Sequence, residues 1–570
     1  MNLDEEQTGL ISANIRQART LRALGCGEYQ VPFHCFADLL DGRASEAPDK
    51  LFLEYYNDDT GEHATFTYGE FNRRVNQVAV LLSEEYGVVR GDRVATLAFN
   101  HPDPVIACFA CWKLGAVAAP QNVSEDDARL AFILQNAGCR MALVRPEYLE
   151  RAKRLQSQAR CLETVITMDA DYQQRLSALR SDFRPPADNM LEDQALLVYT
   201  SGTTGAPKGV MLSQYNLLVN AQAMAEVQDV TRDTRMMCVL PVHHVNGLCV
   251  THVMPMFAGC SVVLNRGFKA SVFWRRLTEQ KINIVPVVPT ILQFLCEASE
   301  DISRLDLTHL QHIICGAGTL SVTLVMRFEA QFKQKIVHGY GLSETTAFAS
   351  MSPIRLPEEQ RQHWFSGYGY PSIGSAIGCN EMAIHDGSGN ALPRGERGEI
   401  VIRGHNVMAG YFERDDVNLE TFKHGWFRSG DEGFFQQDDK GNQFYFITGR
   451  LKELINRGGV KYSPFEIEEV LLTIPGVKVG LAIAFDNEWY GEEVGAYVVC
   501  DDGAALSEEH ILQACREVMA FAKSPKVVKF GTEIPVTATG KYQRLKLKEL
   551  FSDDRDTQFK EHPLSNEAPI

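Results

Sequence analysis

The sequence predicts a large layered α/β domain followed by a small α+β domain. Through most of the chain, helical patterns alternate with apolar strand-like runs, which fall at residues 93–99, 196–200, 236–240, 261–264, 282–288, 313–315 and 335–337. From about residue 398 the pattern changes to short β segments at 399–403 and 443–447, and then to a helix, two strands and a helix at 464–472, 477–485, 493–499 and from Ser507. Alternating strands and helices are typical of largely parallel sheets. A chain of 570 residues also exceeds what one hydrophobic core supports.

A charged connector at residues 448–453 marks the predicted domain boundary. We expect a large N-terminal domain over 1–449, a hinge over 450–452, a small mobile C-terminal domain over 453–551 and a polar tail over 552–570. Within the large domain, Thr67 is expected to cap a helix whose apolar face carries Phe71, Val75, Val78, Leu81 and Leu82. The first ~35 residues are polar, and we expect them to be loosely held.

Composition and charge exclude several classes of function. The net charge of −17 disfavours a nucleic-acid binder, because a phosphate backbone would be repelled. The N-terminus is acidic where an export signal would be basic and then apolar, so a cytoplasmic location is predicted. Residues 236–265 lack charged side chains, but their prolines, histidines and asparagine make a poor membrane span, so no integral membrane segment is expected. No pattern in the sequence specifies an oligomeric state.

The cysteines are predicted to be free thiols. All 14 are scattered along a chain with no recognisable export signal. Cys108 and Cys111 form one close pair, in an apolar helix-like run without a second Cys or His pair nearby. This pattern favours a buried helical thiol pair over zinc or redox chemistry.

The most informative segment follows an apolar strand and reads Tyr199-Thr200-Ser201-Gly202-Thr203-Thr204-Gly205-Ala206-Pro207-Lys208-Gly209. Its glycines, hydroxyls and lysine can surround phosphate oxygens with backbone N–H groups, hydroxyl donors and a positive charge. It is not a Walker A sequence, because Pro207 replaces the glycine before the lysine and Gly209 stands where that motif has a magnesium-binding hydroxyl. The alternative is a flexible Gly/Thr turn that joins a strand to a helix.

This segment resembles the signature loop of the adenylate-forming superfamily, which includes acyl- and aryl-CoA synthetases, nonribosomal peptide synthetase adenylation domains and firefly luciferase. Further motifs similar to those of the family follow in the family's order between about residue 45 and about residue 550. The resemblance implies two domains that enclose the active site, with the small domain rotating between adenylation and thiolation. In the loop it implies that the ATP-binding residues are Thr200, Ser201, Gly202, Thr203, Thr204, Gly205 and Lys208, and that Lys208 is also catalytic.

A second nucleotide motif of the family is matched by Gly339-Tyr340-Gly341-Leu342-Ser343-Glu344-Thr345-Thr346. An aromatic ring can stack on adenine, and a carboxylate can hold Mg²⁺ that bridges phosphates. By this match, Tyr340 contacts the base, and Glu344 binds the metal and is catalytic. The other ATP-binding residues implied here are His338, Gly339, Ser343 and Thr345. An ordinary strand-to-helix turn with Ser343 as its N-cap is the alternative.

Arg428-Ser429-Gly430-Asp431 is similar to the ribose motif of the family, with Ser429 in place of the usual threonine. The resemblance implies that Asp431 accepts hydrogen bonds from the ribose hydroxyls and that Arg450 adds a second ribose contact. Lys452 falls at the position of the family's hinge residue. Taken alone, Asp431 would be a turn residue and Arg450 a surface charge.

Near the C-terminus, Pro535-Val536-Thr537-Ala538-Thr539-Gly540-Lys541-Tyr542-Gln543-Arg544 resembles the loop that carries the family's catalytic lysine. Lys541 is therefore expected to bind ATP and to offset the negative charge that gathers when a carboxylate attacks the α-phosphate. Without the surrounding pattern, a lysine after glycine would be a solvated surface charge.

The acyl pocket is implied around Pro241-Val242-His243-His244-Val245-Asn246-Gly247, which resembles the segment beside the acyl tunnel of CoA ligases. His244 matches the family histidine and is expected to be catalytic, and a pair of satisfied, partly buried histidines is the alternative. Amino-acid-activating relatives place an ammonium-pairing aspartate in this region. No Asp stands between Arg235 and Asn265, so an α-amino acid substrate is disfavoured. The implied pocket residues are His243, Asn246, Val288, Gly316, Ala317, Gly318 and Gly339.

The aromatic run at residues 363–370 is unusual at its place in the family pattern. Packing at the surface or against another subunit is one interpretation. A substrate mouth that accommodates a quaternary ammonium group is the other.

Residues 457–468 match the hairpin and helix that enter the family's active site for thiolation. Gly458 and Gly459, followed by Val460, would let the backbone approach a slender pantetheine arm. The chain is therefore expected to be an AMP-forming carboxylate–CoA ligase that uses ATP, Mg²⁺ and coenzyme A on a small-molecule carboxylic acid. A ligase that loads the pantetheine arm of a carrier protein is an alternative.

The alternative from another class is a non-catalytic nucleotide sensor or a luciferase-like oxidase on the same scaffold. A degenerate sensor should have lost Lys541 or Glu344, and both are present.

Overall fold

The computed structural model of the chain describes residues 5–25, 31–200, 206–298, 300–536 and 542–560. Its strands are, in chain order, β1 (Leu51–Asn57), β2 (Glu62–Thr67), β3 (Arg93–Leu97), β4 (Val117–Gln121), β5 (Met141–Val144), β6 (Thr164–Thr167), β7 (Gln194–Thr200), β8 (Lys208–Ser213), β9 (Arg235–Cys238), β10 (Ser261–Asn265), β11 (Ile284–Val287), β12 (His312–Cys315), β13 (Ile336–Tyr340), β14 (Ser350–Met351), β15 (Ser375–Ala376), β16 (Asn380–His385), β17 (Gly398–Gly404), β18 (Phe427–Gln437), β19 (Gln443–Arg450), β20 (Ile455–Arg457), β21 (Val460–Tyr462), β22 (Val477–Asn487), β23 (Gly491–Cys500) and β24 (Val527–Gly531).

Its helices are α1 (Glu5–Ala18), α2 (Phe36–Glu46), α3 (Tyr68–Val80), α4 (Pro102–Leu114), α5 (Asp127–Ala137), α6 (Leu149–Gln158), α7 (Ala170–Ala178), α8 (Gln214–Val227), α9 (Met254–Ala258), α10 (Ala270–Glu279), α11 (Pro289–Ala298), α12 (Val322–Phe332), α13 (Glu358–Ser366), α14 (Asp415–Thr421), α15 (Pro464–Thr473) and α16 (Glu508–Val518). Short 3₁₀ or π-helical segments lie at Leu81–Glu85, Pro146–Tyr148, Asn246–Val253, Ser343–Thr345, Lys423–Gly425 and Arg544–Asp554.

Two largely parallel sheets form most of the large domain, as the alternation of strands and helices predicted. One has the strand order β15-β14-β13-β12-β11-β9-β10-β1-β2, and the other has the order β6-β5-β3-β4-β7-β8. The antiparallel pairs lie at the sheet edges, where β2 pairs with β1, β14 with β13 and β15, and β8 with β7. The predicted fold class is confirmed.

The main core contains residues of both sheets and of the helices α3, α4 and α8. Every residue of α4 is buried, including Cys108 and Cys111, because the helix is almost wholly apolar and its charged residues Asp103 and Lys113 form ion pairs. Helix α3 begins at the predicted cap, where the Thr67 hydroxyl accepts from the Glu70 N–H and the Glu70 carboxylate accepts from the Thr67 N–H. None of the described helices is long and apolar enough to span a membrane.

A four-stranded antiparallel sheet, in the order β16-β17-β18-β19, closes the large domain. Strand β19 ends at Arg450, and the next strand, β20, begins the small domain at Ile455. The small domain has the strand order β21-β20-β23-β22, with β24 parallel to β23. Helices α15 and α16 pack on this sheet and supply Ile467, Leu471, Ile511 and Cys515 to its core.

The N-terminal segment is packed, in contrast to the expectation of a loosely held start. In α1 and the turn after it, Ile11, Ala18 and Leu21 are buried. The Gln17 side chain fills the space beside Gly425, where an added Cβ would lie 2.2 Å from the Gln17 amide. The expectation was wrong for residues 5–25 because a few well-spaced apolar contacts suffice to dock a mostly polar helix.

The described part of the predicted polar tail is packed against the small domain. The Asn487 side-chain amide donates to the carbonyls of Arg555 (3.1 Å) and Thr557 (3.0 Å). The Phe559 ring lies edge-on to Phe485, with centroids 6.3 Å apart. Residues 552–560 are therefore held against β22 by hydrogen bonds and an aromatic contact, which the polar composition of the segment does not reveal.

The aromatic run at residues 363–370 packs against the four-stranded sheet. Trp364 stacks on Phe444, with centroids 3.9 Å apart and an interplanar angle of 4°. Tyr368 contacts Phe446, with centroids 5.0 Å apart. Phe465, at the start of α15, packs against this cluster from the small domain. The run therefore forms part of the contact between the two domains.

Polar contacts of α15 join the small domain to the large one. Glu466 accepts hydrogen bonds from Arg397 Nη2 (2.8 Å), from the Tyr370 hydroxyl and from Lys523. Burial alone would raise the pKa of Glu466, but the hydrogen bonds from Lys523, Tyr370 and Arg397 outweigh burial and lower this pKa to about 2. Glu469 accepts from the Val322 N–H (2.7 Å) at the N-terminus of α12.

We predict that Glu466→Gln weakens this contact in a pH-dependent way. Because the pKa of Glu466 is lowered in the folded protein, its stabilisation is complete above the unfolded pKa of about 4.3 and is lost as pH falls from about 5 towards 2. The variant should lower Tm by about 2–4 °C at pH 7, and the difference from the unmodified protein should shrink between pH 5 and pH 3. Glu150→Gln, which removes an exposed ion pair with Lys153, is the control and should change Tm little. A Tm difference that is independent of pH would contradict the assignment.

Candidate active site

The first part of the site is a buried carboxylate held by two partners. Asp431 on β18 lies opposite Arg450 on β19, and Arg450 Nε is 2.9 Å from Asp431 Oδ1. The Tyr340 hydroxyl, at the end of β13, donates to Asp431 Oδ2 over 2.8 Å. Burial, together with the nearby charge of Asp431, raises the pKa of Tyr340, so its hydroxyl stays protonated as a donor. Three residues that the sequence assigned to nucleotide binding are thus brought together.

Ser429 explains how the Asp431 backbone is held. The Ser429 hydroxyl donates to the Ile400 carbonyl over 2.6 Å and accepts from the Asp431 N–H over 3.0 Å. Gly430 lies between them with φ +74°, a conformation that favours glycine, and its N–H donates to Glu399 Oε1 over 2.9 Å. A hydroxyl is needed at residue 429, and serine supplies it as threonine would.

The second part of the site contains Lys208, Tyr411 and Glu344. The Tyr411 hydroxyl donates to Glu344 Oε1 over 2.7 Å, and Lys208 Nζ lies 4.3 Å from the centre of the Tyr411 ring. Burial lowers the pKa of Lys208, and the charge of Glu344 acts in the opposite direction. Sequence reasoning missed Tyr411. The aromatic residue at the end of an uncharged segment between β17 and α14 was the available signal.

Glu344 sits in a tight turn rather than at the start of a helix. Strand β13 is followed by the single 3₁₀ turn Ser343–Thr345, so the alternative of a strand-to-helix turn with an N-cap is wrong. Thr346 has φ +69°, a strained conformation for a β-branched residue. Its hydroxyl donates to the Asn406 carbonyl over 2.8 Å. Asn406 is a further residue that sequence reasoning missed.

Other residues assigned to the nucleotide make local contacts. The Thr345 hydroxyl donates to the Leu342 carbonyl over 3.1 Å. His338 Nδ1 donates to the Ser372 carbonyl over 3.0 Å. Burial lowers the pKa of His338 to about 4, so this histidine is neutral at physiological pH.

The phosphate-loop motif joins two antiparallel strands. Thr200 ends β7 and lies opposite Lys208, which begins β8. The expected helix does not follow the loop directly, because the apolar residues after Lys208 form a strand before α8 begins. Residues Ser201, Gly202, Thr203, Thr204 and Gly205 lie outside the described part of the chain.

The Asn100 side chain holds the backbone at the start of the histidine segment. Asn100 Nδ2 donates to the Leu240 carbonyl over 3.0 Å, and Asn100 Oδ1 accepts from the Val242 N–H over 2.9 Å. Gly247 is required there, since an added Cβ would lie 2.2 Å from the Pro241 carbonyl oxygen. The loop that carries His243 and His244 is therefore fixed in position.

Some polar atoms of this segment are buried without a hydrogen-bond partner among the described residues. These atoms are both ring nitrogens of His243 and the side-chain oxygen Oδ1 of Asn246, none of which forms a hydrogen bond with a described residue. His243 and His244 lie with ring centroids 4.5 Å apart. Burial, helped by the neighbouring His244, lowers the pKa of His243, which is therefore neutral. The alternative of satisfied histidines does not hold for His243.

The small residues assigned to the acyl pocket are closely packed. An added Cβ on Gly339 would lie 2.6 Å from Phe348 Cε1, and one on Gly316 would lie 2.4 Å from the Gly339 carbonyl oxygen. Ala317 has φ +61°, and Val288 is buried. An added Cβ on Gly318 would lie 3.2 Å from Pro289 Cδ. The room that glycines leave on this side is therefore occupied by the Phe348 ring and by backbone.

The turn of the glycine hairpin is exposed. Gly458 and Gly459 have φ +58° and +88°, as required at the turn between β20 and β21. No described atom lies within 4 Å of an added Cβ on Gly459, and Val460 is 54% exposed. Arg457 Nε anchors the hairpin to Glu493 Oε1 over 2.7 Å.

The connector begins beside the buried carboxylate. The Leu451 N–H donates to the Gly430 carbonyl over 2.9 Å, and Lys452 follows directly. Lys541 lies outside the described residues; Val536 and Tyr542, the described residues on either side of its segment, form an antiparallel bridge. No group of three or more His, Cys, Asp or Glu side chains that could hold a metal occurs within the described ranges.

Comparison with known proteins identifies the class. Residues 40–412 match the family described as AMP-binding enzyme, and residues 466–541 match the AMP-binding enzyme C-terminal domain. The chain is 32% identical over 514 residues to an oxalate–CoA ligase of Arabidopsis thaliana, covering 89% of this chain and 96% of that relative. It is 32% identical over 525 residues to a sulfoacetate–CoA ligase of Cupriavidus necator, covering 90% and 97%. The ATP-bound crystal structure of MatB from Rhodopseudomonas palustris has a TM-score of 0.81 at 26% identity, covering 91% of this chain and all of that one.

The chain belongs to the family of AMP-binding enzymes. Its branch is that of the acyl- and aryl-CoA synthetases, which are AMP-forming ligases with ATP and coenzyme A as substrates. The family inferred from the motifs is confirmed.

We predict that Asp431→Ala raises the KM for ATP. If the carboxylate accepts hydrogen bonds from the ribose hydroxyls, its loss removes charged hydrogen bonds worth about 1.5–3 kcal/mol. This free energy corresponds to a rise in the KM for ATP of roughly 10- to 150-fold. The measurement is carboxylate-dependent pyrophosphate release as a function of ATP concentration. Asp438→Ala removes a turn carboxylate on the same sheet, which accepts only from neighbours such as Asn442, and is the control. An unchanged ATP requirement in folded Asp431→Ala would mean that the ribose assignment is wrong.

Proposed function

We propose that this ligase activates a short carboxylic acid carrying a second polar group, and that it passes the acyl group to coenzyme A by alternation of its small domain. Two observations support the substrate proposal: the described residues leave buried polar atoms of His243 and Asn246 without hydrogen-bond partners, and the Phe348 ring fills the space beside Gly339. A polar group of the substrate would complete hydrogen bonds that the protein leaves open.

Nucleotide binding is assigned to the Asp431 and Glu344 clusters. Asp431, oriented by Tyr340 and Arg450, would accept hydrogen bonds from the ribose hydroxyls, and the Tyr340 ring would face adenine. The loop of residues 200–208 would bind the phosphates, with Lys208 supplying a positive charge beside Glu344.

Glu344 fits a magnesium ion that arrives with ATP. Mg²⁺ in proteins is commonly held by one or two carboxylates together with substrate phosphates, and a lone carboxylate suits that arrangement. Glu344 is buried, and its Oε1 is oriented by the Tyr411 hydroxyl. The ion would neutralise charge on the phosphates, while Tyr411 keeps the carboxylate in place.

The first half-reaction is assigned to Lys541. An oxygen of the acid would attack the α-phosphorus, forming the acyl-adenylate as the bond to pyrophosphate breaks. Two anions approach each other in this step, and the Lys541 ammonium would offset their repulsion. In the second half-reaction, the thiol sulfur of coenzyme A would attack the acyl carbon with loss of its proton, and AMP would leave.

The hairpin of β20 and β21 is assigned to the second half-reaction. Its exposed turn lies in open space, so it would have to move to reach the acyl-adenylate. The predicted hinge at residues 450–452 would be the place for that rotation, about Lys452. His244, next to the unpartnered His243, would lie at the boundary between the acyl group and the incoming thiol.

The substrate proposal is also supported by two of the relatives, which are named for oxalate and sulfoacetate, both short acids with a second acidic group. No aspartate is available between Arg235 and Asn265 to pair with an α-ammonium group. A non-catalytic sensor is not favoured, because Glu344 and Lys541 are both present.

We predict that short acids with a second polar group give carboxylate-dependent pyrophosphate release with higher kcat/KM than ferulate, palmitate or α-amino acids. Phe348→Leu should shift the preference towards bulkier acids by about 10-fold, the usual effect of a small change in pocket volume. Phe435→Leu, at a buried ring in the four-stranded sheet, is the control and should leave the preference unchanged. Preference for a long-chain acid in the unmodified protein would overturn the substrate proposal.

We predict that the two half-reactions separate by mutation. Lys541→Ala should slow adenylate formation by about 10²–10³-fold, yet make thioester from supplied acyl-adenylate and coenzyme A at near the normal rate. Gly459→Leu should do the opposite, because a side chain on the hairpin would obstruct the pantetheine arm.

Two controls match these variants. Lys546→Ala removes an exposed lysine of the same region. Gly503→Leu places leucine at φ +82°, also in open space among the described atoms, and so reproduces the backbone strain of Gly459→Leu away from the hairpin. Equal impairment of both half-reactions in Lys541→Ala and Gly459→Leu would rule out alternation.

A further inference from the structure

We infer that the N-terminal segment Glu5–Gly25 positions the Glu344 turn through His405. The inference rests on the proposed role of Glu344 in binding magnesium. The segment lies outside residues 40–412, which match the AMP-binding family. It ends in a turn whose Leu24 carbonyl contacts His405, and we call Leu24, His405 and Tyr215 the N-terminal brace.

The segment is packed directly on the strand connection that follows β17. Ile15 Cδ1 lies 3.4 Å from where a Cβ on Gly410 would stand, so α1 covers the backbone beside Tyr411. Ile11 and Ala18 are buried on the same helix. A helix docked in this way fixes the position of the turn that follows it.

The turn after α1 contains two non-glycine residues in the left-handed conformation. Leu21 and Leu24 exchange backbone hydrogen bonds of 2.9 and 2.8 Å, while Arg22 and Ala23 between them have φ +50° and +67°. Left-handed conformations cost non-glycine residues about 1 kcal/mol or more each, and they persist only where the surroundings hold them. The turn directs the Leu24 carbonyl at His405 Nε2, over 3.2 Å.

His405 is locked in one tautomer. Because a carbonyl can only accept, Nε2 must carry the proton that it shares with Leu24. Nδ1 is then the acceptor, and the Tyr215 hydroxyl donates to it over 2.7 Å. The ring is fully buried, and the His405 carbonyl accepts from Asn216 Nδ2 over 2.7 Å. Ring and backbone of His405 are thus both held.

The residues after His405 hold the Glu344 turn. Asn406 Nδ2 donates to the carbonyls of Thr345 (3.3 Å) and Phe348 (3.1 Å). The Met408 N–H donates to the Glu344 carbonyl over 2.9 Å. Three residues further on, Tyr411 donates to the Glu344 side chain. A displacement of His405 would therefore reach both the backbone and the carboxylate of Glu344.

The decisive comparison is His405→Leu with His405→Gln. Leucine removes the donor and the acceptor, whereas glutamine retains one of each and should restore the brace. The readout is the free Mg²⁺ concentration that gives half-maximal carboxylate-dependent pyrophosphate release at saturating ATP. His405→Leu should raise it about tenfold, as for other residues that orient a metal ligand, and His405→Gln should return it close to normal. A merely structural role would lower Tm without changing this magnesium requirement.

The second arm perturbs the brace from the N-terminal side. Ala23→Val places a β-branched residue at φ +67° and should displace the Leu24 carbonyl, whereas Ala23→Gly fits the same turn. Ala23→Val should raise the magnesium requirement as His405→Leu does, and the double variant should add little to either, because both act on one contact. Thr20→Ala, whose hydroxyl donates only to the Gln17 carbonyl, is the control in the same segment.

Glu344→Gln separates the two hypotheses. If Glu344→Gln leaves the magnesium requirement unchanged, the proposed role of Glu344 fails. If Glu344→Gln raises it while His405→Leu and Ala23→Val leave it at the normal value, the role of the N-terminal brace is overturned and that of Glu344 stands.

Discussion

The buried carboxylate of Asp431 is the interaction on which the geometry of the site depends. It lies on β18, it is bound by Arg450 on β19, and it accepts from Tyr340 at the end of β13. Because Asp431 is buried, the loss of either partner would leave its charge less well compensated, so both partners must stay in place. Because β13 leads into the Glu344 turn and β19 leads into the connector, this one carboxylate fixes the end of β13, the Glu344 turn and the start of the connector relative to one another.

The sequence predicted the layered fold well because its central strands are buried on both faces. Strands β12 and β13 are buried along their whole length, so they read as apolar runs that stand out from the helices. Strands β14 and β15 have two residues each and carry no readable pattern. Helix α1 docks through a few scattered apolar residues on a polar helix, and such docking depends on the surface that receives it.

The site was predictable where its residues belong to local motifs. The motifs singled out Glu344, Asp431 and Lys208, which the structure places in the two clusters. They did not single out Tyr411, because its hydrogen bond to Glu344 spans 67 residues of sequence. The filling of the space beside Gly339 by Phe348 was equally hidden, since a glycine in a motif does not show whether a ligand or a neighbouring ring occupies its free side. The loop before Lys208 was placed before a helix because a short apolar run such as β8 fits either a strand or a helix.

The contact between the two domains is largely polar. Glu466 and Glu469 of the small domain form hydrogen bonds and ion pairs with the large domain. Phe465 contributes one partly buried ring at the edge of the aromatic cluster. Carboxylates can be rehydrated when such a contact opens, whereas a large apolar surface would lose about 25 cal/mol for each Å² exposed to water. A polar contact therefore holds the small domain in one orientation at a free energy small enough for the proposed rotation of that domain to break it.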